Sequence, residues 1–385
     1  MRFLHIGDLH IGRTIGGFDL IEDQKFILDQ MIHIAGQEKA DAILIAGDVY
    51  DKSIPGESAV KLFDYFLSRL AEKGLETFII SGNHDSDERM NFGSSLFQTN
   101  SIFISAKYEG RLFKRTVEDE EGRVNIYLMP FIKASQVRHF FPDEEISTYD
   151  DAVRVVIKRN HIDPKERNIL VAHQFVAGKT AEPKLGGSES ASTQKVGLVE
   201  KIGWDCFEAF DYVALGHIHS PQSVGREEIR YAGSPLKYSR SEAGDEKSVT
   251  IVETGKKGNV KIRQIPLRPL RDLRRIRGRM EQLLARENIS APEDFIFATL
   301  TDEDIQENIM GIFRQYYPNT VGIEYDNAHT RELAQPDISE MAEDKSFDDI
   351  ISDFYELIYG CEMNEDERRL INEMAREAGI VNEAD

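Results

Sequence analysis

Cysteine is almost absent from this chain of 385 residues, which holds only Cys206 and Cys361. Two cysteines are too few for a disulfide framework, and their positions match no metal-binding spacing. Long apolar runs are missing too. None approaches the roughly 20 residues that a membrane-spanning helix needs. The strand-like start Arg2-Phe3-Leu4-His5-Ile6 carries neither the apolar core nor the small-residue cleavage site of a secretory leader. These absences lead us to expect a soluble cytoplasmic protein with no membrane partner. Basic charge is also short: 47 Lys and Arg stand against 68 Asp and Glu, a net of −21. On its face this argues against a nucleic-acid partner, because DNA affinity comes largely from cations that neutralise phosphates.

The charge is unevenly placed, however. Residues 331–385 hold 17 acidic and 5 basic residues, which leaves only −9 on the first 330. Between Lys256 and Arg279 ten basic residues face the single acid Asp272, so the whole-chain figure does not decide the matter. What is present is ordinary globular composition, 41% hydrophobic and 30% charged, with length for a sizeable core and more than one domain.

Residues 1–85 alternate short apolar runs with helical periodicity. Strands are predicted over 2–6, 42–46 and 77–80, with helices over 19–35 and 58–73. This βαβαβ order implies a buried parallel or mixed sheet with helices on its faces. Strand-like runs continue at 125–131, 168–172, 212–215, 229–231 and 248–253, enough for two packed sheets. Residues 118–123 read as a charged hairpin-like loop of no evident purpose. Residues 178–195, rich in Gly, Ser and Thr, read as a long surface loop, a length usually associated with function or mobility. Near Pro266–Pro269 the character changes. Helices are predicted over 279–287 and 304–316, and strands over 295–301 and 321–325, in a small unit of their own. A polar linker follows at 327–345. Ser346 with Asp349 and Asn364 with Glu367 are capping pairs that open an acidic helical hairpin, whose apolar stripe from Phe347 to Ile358 wants a partner.

The chemistry gathers in Gly7-Asp8-Leu9-His10, Gly47-Asp48-Val49-Tyr50-Asp51, Gly82-Asn83-His84-Asp85, Ala172-His173 and Gly216-His217-Ile218-His219. Each follows an apolar run, so all five should meet at one sheet edge, where ligands bind in open α/β folds. Asp-x-His and His-x-His place two ligands on one face of an extended segment. A lone buried His is usually structural and a lone Gly-Asp is usually a turn, but five such segments at strand ends go beyond both explanations. Carboxylates, imidazoles and one amide suit two divalent ions better than one structural zinc. Two ions about 3.5–4 Å apart would clamp a phosphate and activate a water. His84 is the natural donor to the leaving oxygen, with Asp85 beside it to orient the ring.

In this order the segments resemble the calcineurin-like metallophosphoesterase superfamily. The stretches His173-Gln174-Phe175, Phe210 to His219 and Tyr231-Ala232-Gly233-Ser234-Pro235-Leu236-Lys237-Tyr238-Ser239 look like its SbcD branch of bacterial nuclease subunits. The resemblance implies a two-sheet α/β sandwich flanked by helices, a small α/β capping domain and a C-terminal helical hairpin. Their limits here would be 1–267, 268–328 and 346–385, with a linker at 329–345. It further implies two manganese ions, with magnesium or another divalent ion as possible substitutes. Asp8, His10 and His219 would hold one, Asn83, His173 and His217 the other, and Asp48 would bridge them. His84 would act on the scissile phosphate with Asp85 orienting it, and Asp51, where some relatives carry His, would have no direct catalytic role. The implied activity is 3′-to-5′ degradation of duplex DNA ends and endonucleolytic cutting of single strands and hairpins. It serves double-strand break repair with an SbcC-type ATPase of the structural-maintenance-of-chromosomes kind, docked on the C-terminal helices in a heterotetramer built on a homodimer. No phosphate-binding Gly-rich Lys motif occurs in this chain, in keeping with ATP binding by the partner.

Lys237 and Arg240 are candidate DNA contacts. The basic run 256–279 reads as the solvated face of strands or as a phosphate-binding patch. Two other functions remain open: a phosphoesterase acting on a small molecule such as a cyclic nucleotide, which would not need residues 270–380, and a non-catalytic scaffold, which would not need the complete ligand set.

Overall fold

The computed structural model describes residues 1–178, 183–185, 201–327, 351, 352 and 368. Most of the 178–195 loop, the 329–345 linker and nearly all of the 346–385 tail lie outside the described residues. The chain divides into two compact units: Met1–Arg275 with Ala291–Phe297 and Tyr317–Val321, and Ile276–Ser290, Ala298–Tyr316 and Gly322–Asp385.

The first unit is built on two six-stranded sheets. One runs Val260–Pro266, Ser248–Thr254, Arg2–Ile6, Ala42–Ala46, Glu76–Ile80, Ile102–Ser105. Its last four strands are mutually parallel. The other runs Gln222–Val224, Arg226–Tyr231, Tyr212–Gly216, Arg167–His173, Gly122–Met129, Phe113–Asp119, with a parallel core. Strand side chains alternate between faces, and the sequence uses both faces. Phe3, Leu44, Phe78 and Ile80 of the first sheet pack on Ile126, Leu128, Val171 and Ala214 of the second. Their neighbours Leu4, Ile43, Ile45 and Ile79 turn outward onto helices. Burial on both faces is why these strands read as continuous apolar runs.

The first sheet is covered by helices Ile21–Gln37 and Glu57–Glu72. Leu62, Phe63, Phe66, Leu67 and Leu70 of the latter are buried at the three- and four-residue spacing of one helical face. The first helix starts later than residue 19 because the Asp19 carboxylate stays outside and accepts the Ile21 backbone N–H. The second sheet is covered by Tyr149–Arg159, closed by a Thr148/Asp151 capping box.

Several strands escaped the periodicity reading, among them four of four or more residues. Ile102–Ser105 was too short to stand out. Phe113–Asp119, Val260–Pro266 and Leu273–Gly278 carry charges on an exposed face. Lys261 and Arg263 within the basic run are such exposed strand positions. Strands Leu273–Gly278, Phe295–Leu300 and Thr320–Tyr325 pair in that order. The helices expected over 279–287 and 304–316 shrink to Met280–Leu283 and Ile309–Arg314.

The charged hairpin at 118–123 has a purpose after all. Asp119 ends its strand at the amino edge of the sandwich and accepts from Arg167 at 2.5 and 3.1 Å and from the Met1 ammonium at 2.7 Å. Arg167 also donates to the carbonyls of Gly122 and Gly255. Since Arg167 opens a strand of one sheet and Gly255 follows a strand of the other, this clasp ties the two sheets together.

Candidate metal centre

The opposite, carboxyl edge collects all five polar segments. Backbone bonds join them: Asp8 N–H to the Gly47 carbonyl at 3.1 Å, His10 N–H to the Asp48 carbonyl at 2.9 Å, and His217 N–H to Asp8 Oδ1 at 2.8 Å. The motif glycines are required by this crowding. A Cβ on Gly82 would stand 2.1 Å from Asp48 Oδ1, and one on Gly216 would stand 1.9 Å from the Ala46 carbonyl oxygen. Asp8, His10, Asp48 and His217 all adopt positive φ, at 52°, 44°, 46° and 98°. Non-glycine residues rarely do so, and such strain persists where surrounding structure enforces it, commonly at functional sites.

Two groups of ligand atoms result among the described residues: Asp8, His10 and His219, and Asp8, Asp48 and His173, all buried. His10 Nε2 lies 3.1 Å from His219 Nε2. Asn83 Oδ1 lies 3.1 Å from His173 Nε2 and 3.0 Å from His217 Nδ1. Asp48 Oδ2 stands between the groups, 3.6 Å from His10 Nε2 and 3.4 Å from His173 Nε2. Asp8 belongs to both groups.

These residues fit a pair of cations. Asp8 Oδ2 and His10 Nδ1 are buried with no hydrogen-bond partner among the described residues, a costly state unless something else satisfies them. The His173 Nδ1 proton is committed to the Ala46 carbonyl at 2.7 Å, leaving Nε2 facing acceptors only, Asn83 Oδ1 and Asp48 Oδ2. Burial disfavours charge on this ring, but the Asp48 and Asp8 carboxylates outweigh it and raise the His173 pKa to about 9. Burial pushes Asp8 up to about 6 and would raise Asp48 too, yet His173 and His10 hold Asp48 well below the usual carboxylate range. Burial, joined by the His173 charge, lowers His217 to about 3.

His84 is half-buried at the rim. Its backbone N–H donates to Asp48 Oδ1 at 2.9 Å, and its ring Nδ1–H donates to the Asp51 carbonyl at 3.0 Å. Asp85 does not orient this ring, contrary to expectation. Its carboxylate is consumed by the backbone N–H groups of Gly82, Val49 and Tyr50 at 2.9–3.0 Å, pinning the third segment to the second, and burial raises its pKa to about 6. Asp51 takes over the orienting job through its backbone, while its side chain accepts from Arg13 at 2.8 Å. Sequence alone could not reveal this, because a carbonyl ligand leaves no side-chain signature.

Lys237 is partly buried, and Arg240 is exposed. Lys237 Nζ sits 2.9 Å from an Asp272 oxygen and donates to the Ala243 carbonyl. Arg240 lies over the Phe297 ring, 4.4 Å from its centroid. These contacts tie segments of the first unit together.

The chain belongs to the calcineurin-like phosphoesterase family, whose model matches residues 1–221. A second model, described as the type 5 capsule protein repressor C-terminal domain, matches residues 269–359. Within that family, the chain is 33% identical over 380 residues to a protein of Staphylococcus saprophyticus named as the D subunit of the nuclease SbcCD, covering 97% of both chains. It is 33% identical over 330 residues to the protein of that name from Staphylococcus epidermidis, covering 84% of this chain and 85% of the relative.

Proposed function

We propose that this protein is a metal-dependent DNA nuclease, the nuclease subunit of an SbcCD-type complex that processes double-strand breaks. The observation that carries the reading is the convergence of all five ligand segments on one edge, in a chain that aligns nearly end to end with a nuclease subunit. Asp8, His10 and His219 would hold one ion and Asn83, His173 and His217 the other, and Asp48 would complete the ligand set. Manganese is the ion we assign. When bound, such a pair neutralises phosphate charge and raises the acidity of water.

The protein's own groups do the rest. His84, anchored through Nδ1–H to the Asp51 carbonyl, presents Nε2 at the rim. There a protonated Nε2–H donates to the scissile phosphate or its leaving oxygen. Asp85 keeps the loops of Asp48 and His84 in register. The Ala46 carbonyl, accepting from His173 Nδ1–H, fixes that ring's tautomer and orientation.

The proposal extends to organisation: a nuclease domain over 1–267, a cap over 268–328 that selects DNA, a linker over 329–345, and helices over 346–385 that dock an SMC-like ATPase. A homodimer within a heterotetramer and a cytoplasmic location complete it. No described helix is long and apolar enough to cross a membrane.

The test compares wild type with His84→Ala on a linear duplex, a DNA hairpin and a generic phosphodiester, with and without manganese. Manganese-dependent DNA cutting that vanishes in the variant supports the reading. Turnover of the small ester alone, also with the ATPase present, overturns the DNA assignment. Deleting 331–385 should abolish copurification with the ATPase and leave basal cutting in place.

A further inference from the structure

Glu242 lies in the short turn Arg240–Gly244 and is fully buried. A carboxylate there is costly unless its oxygens are met, and they are. Oε1 is 3.2 Å from His219 Nδ1 and 3.0 Å from Ser239 Oγ. Oε2 is 2.6 Å from Lys247 Nζ, 3.2 Å from Ser234 Oγ and 3.3 Å from the Tyr238 N–H. Lys247 is itself buried and donates onward to the His219 carbonyl at 3.0 Å and Ser234 Oγ at 2.9 Å. The Tyr238 ring packs edge-on against His10 and His219, and its hydroxyl donates to the Leu9 carbonyl. The whole 234–247 segment therefore backs the two imidazoles from behind.

A buried ion pair is poor evidence of stabilisation, since well-packed apolar residues often serve a fold as well or better. This pair stands behind an imidazole whose far nitrogen faces the candidate ion position. We infer that Glu242 is a positioning residue: its carboxylate, neutralised by Lys247, fixes His219 as the Nδ1–H form and so presents the Nε2 lone pair beside His10 Nε2. The inference rests on the metal centre proposed above, and not on the DNA substrate. The arrangement follows the general rule that a metal-bound imidazole donates its other N–H to a group that sets tautomer and ring orientation. It also explains why the Gly233–Ser239 stretch lies near the site without reaching into it.

The test uses the full chain, metal-free and labelled with 15N histidine, with the His219 ring signals assigned by their loss in His219→Asn. Wild type should show His219 as the Nδ1–H tautomer; an Nε2–H form overturns the proposal without any variant. The double variant E242M/K247M replaces the pair by apolar side chains of similar length. It should melt near wild type when metal-free, yet lose the single tautomer and bind manganese by calorimetry roughly 10- to 100-fold more weakly at one of two sites. E242Q/K247M keeps an acceptor oxygen and should recover most of both. A folded E242M/K247M that retains tautomer and affinity overturns the inference while the metal centre stands. A wild type that binds no manganese removes the metal centre, and the inference with it.

Discussion

At the amino edge of the sandwich, Asp119 meets Arg167 and the Met1 ammonium, and its carboxyl is held well below the usual range by the Arg167 hydrogen bonds. At the carboxyl edge, Asp8 is fully buried, meets no Arg or Lys among the described residues, has an unpartnered oxygen, and is pushed up to about 6 by burial. One edge completes its charges from within the chain and so contributes to stability. The other leaves them to be completed from outside and so can bind and act. Two carboxylates of the same type, one half-buried and one fully buried, do opposite work because one strand opens with Arg167 and another is followed by Asp8, with no Arg or Lys beside it.

Breaking the clasp gives the largest expected effect. Arg167→Ala removes the clasp between the sheets and leaves Asp119 with the Met1 ammonium; it should cost about 1.5–3 kcal/mol in denaturant unfolding, with manganese affinity unchanged by calorimetry. Asp48→Asn should act on the site: it should lower manganese-dependent cleavage by at least about 100-fold, a loss seen even for groups one step removed from an ion, and it should also lower metal-free melting, because the ionised carboxylate is stabilised by His173 and His10.

A pH series sharpens the contrast. The folded Asp119 pKa lies below its unfolded value, so its contribution is fully present above about pH 4 and is lost as pH falls through the folded value. The stability gap between wild type and Asp119→Asn should therefore be flat from neutral pH down to about 5 and then close. The folded Asp8 pKa, about 6, lies above its unfolded value, so charging it in the metal-free protein costs stability as pH rises through 6. Metal-free Asp8→Asn should melt higher than wild type at pH 8, with the gap vanishing near pH 4. The smallest effect belongs to neither edge. Lys261→Ala, on an exposed strand face, should change stability by no more than about 0.5 kcal/mol, whatever it does to DNA binding.

The candidate ligands were legible because each is a polar side chain placed directly after an apolar strand, and backbone pairing then carries them to one edge. The second-sheet edge strand Phe113–Asp119 was not legible, because its exposed face breaks the apolar run. The Asp85 assignment failed for a different reason. Adjacency in sequence suggests contact with His84, yet successive residues in a turn point apart, and Asp85 turns back to three N–H groups. The partners of Lys237 and Arg240 were not legible either, because a cation's sequence position says nothing of whether an acid or ring lies within reach.

By itself, the sequence determined the strands with two buried faces, the order of the ligand segments and the class of chemistry, since these follow from local composition and period. Only the tertiary structure decided which groups support the ligands. Asp51 reaches His84 through a carbonyl, Glu242 reaches His219 across 23 residues, and Arg167 reaches Asp119 across 48. Such pairings depend on register and packing between distant segments, which no local pattern encodes.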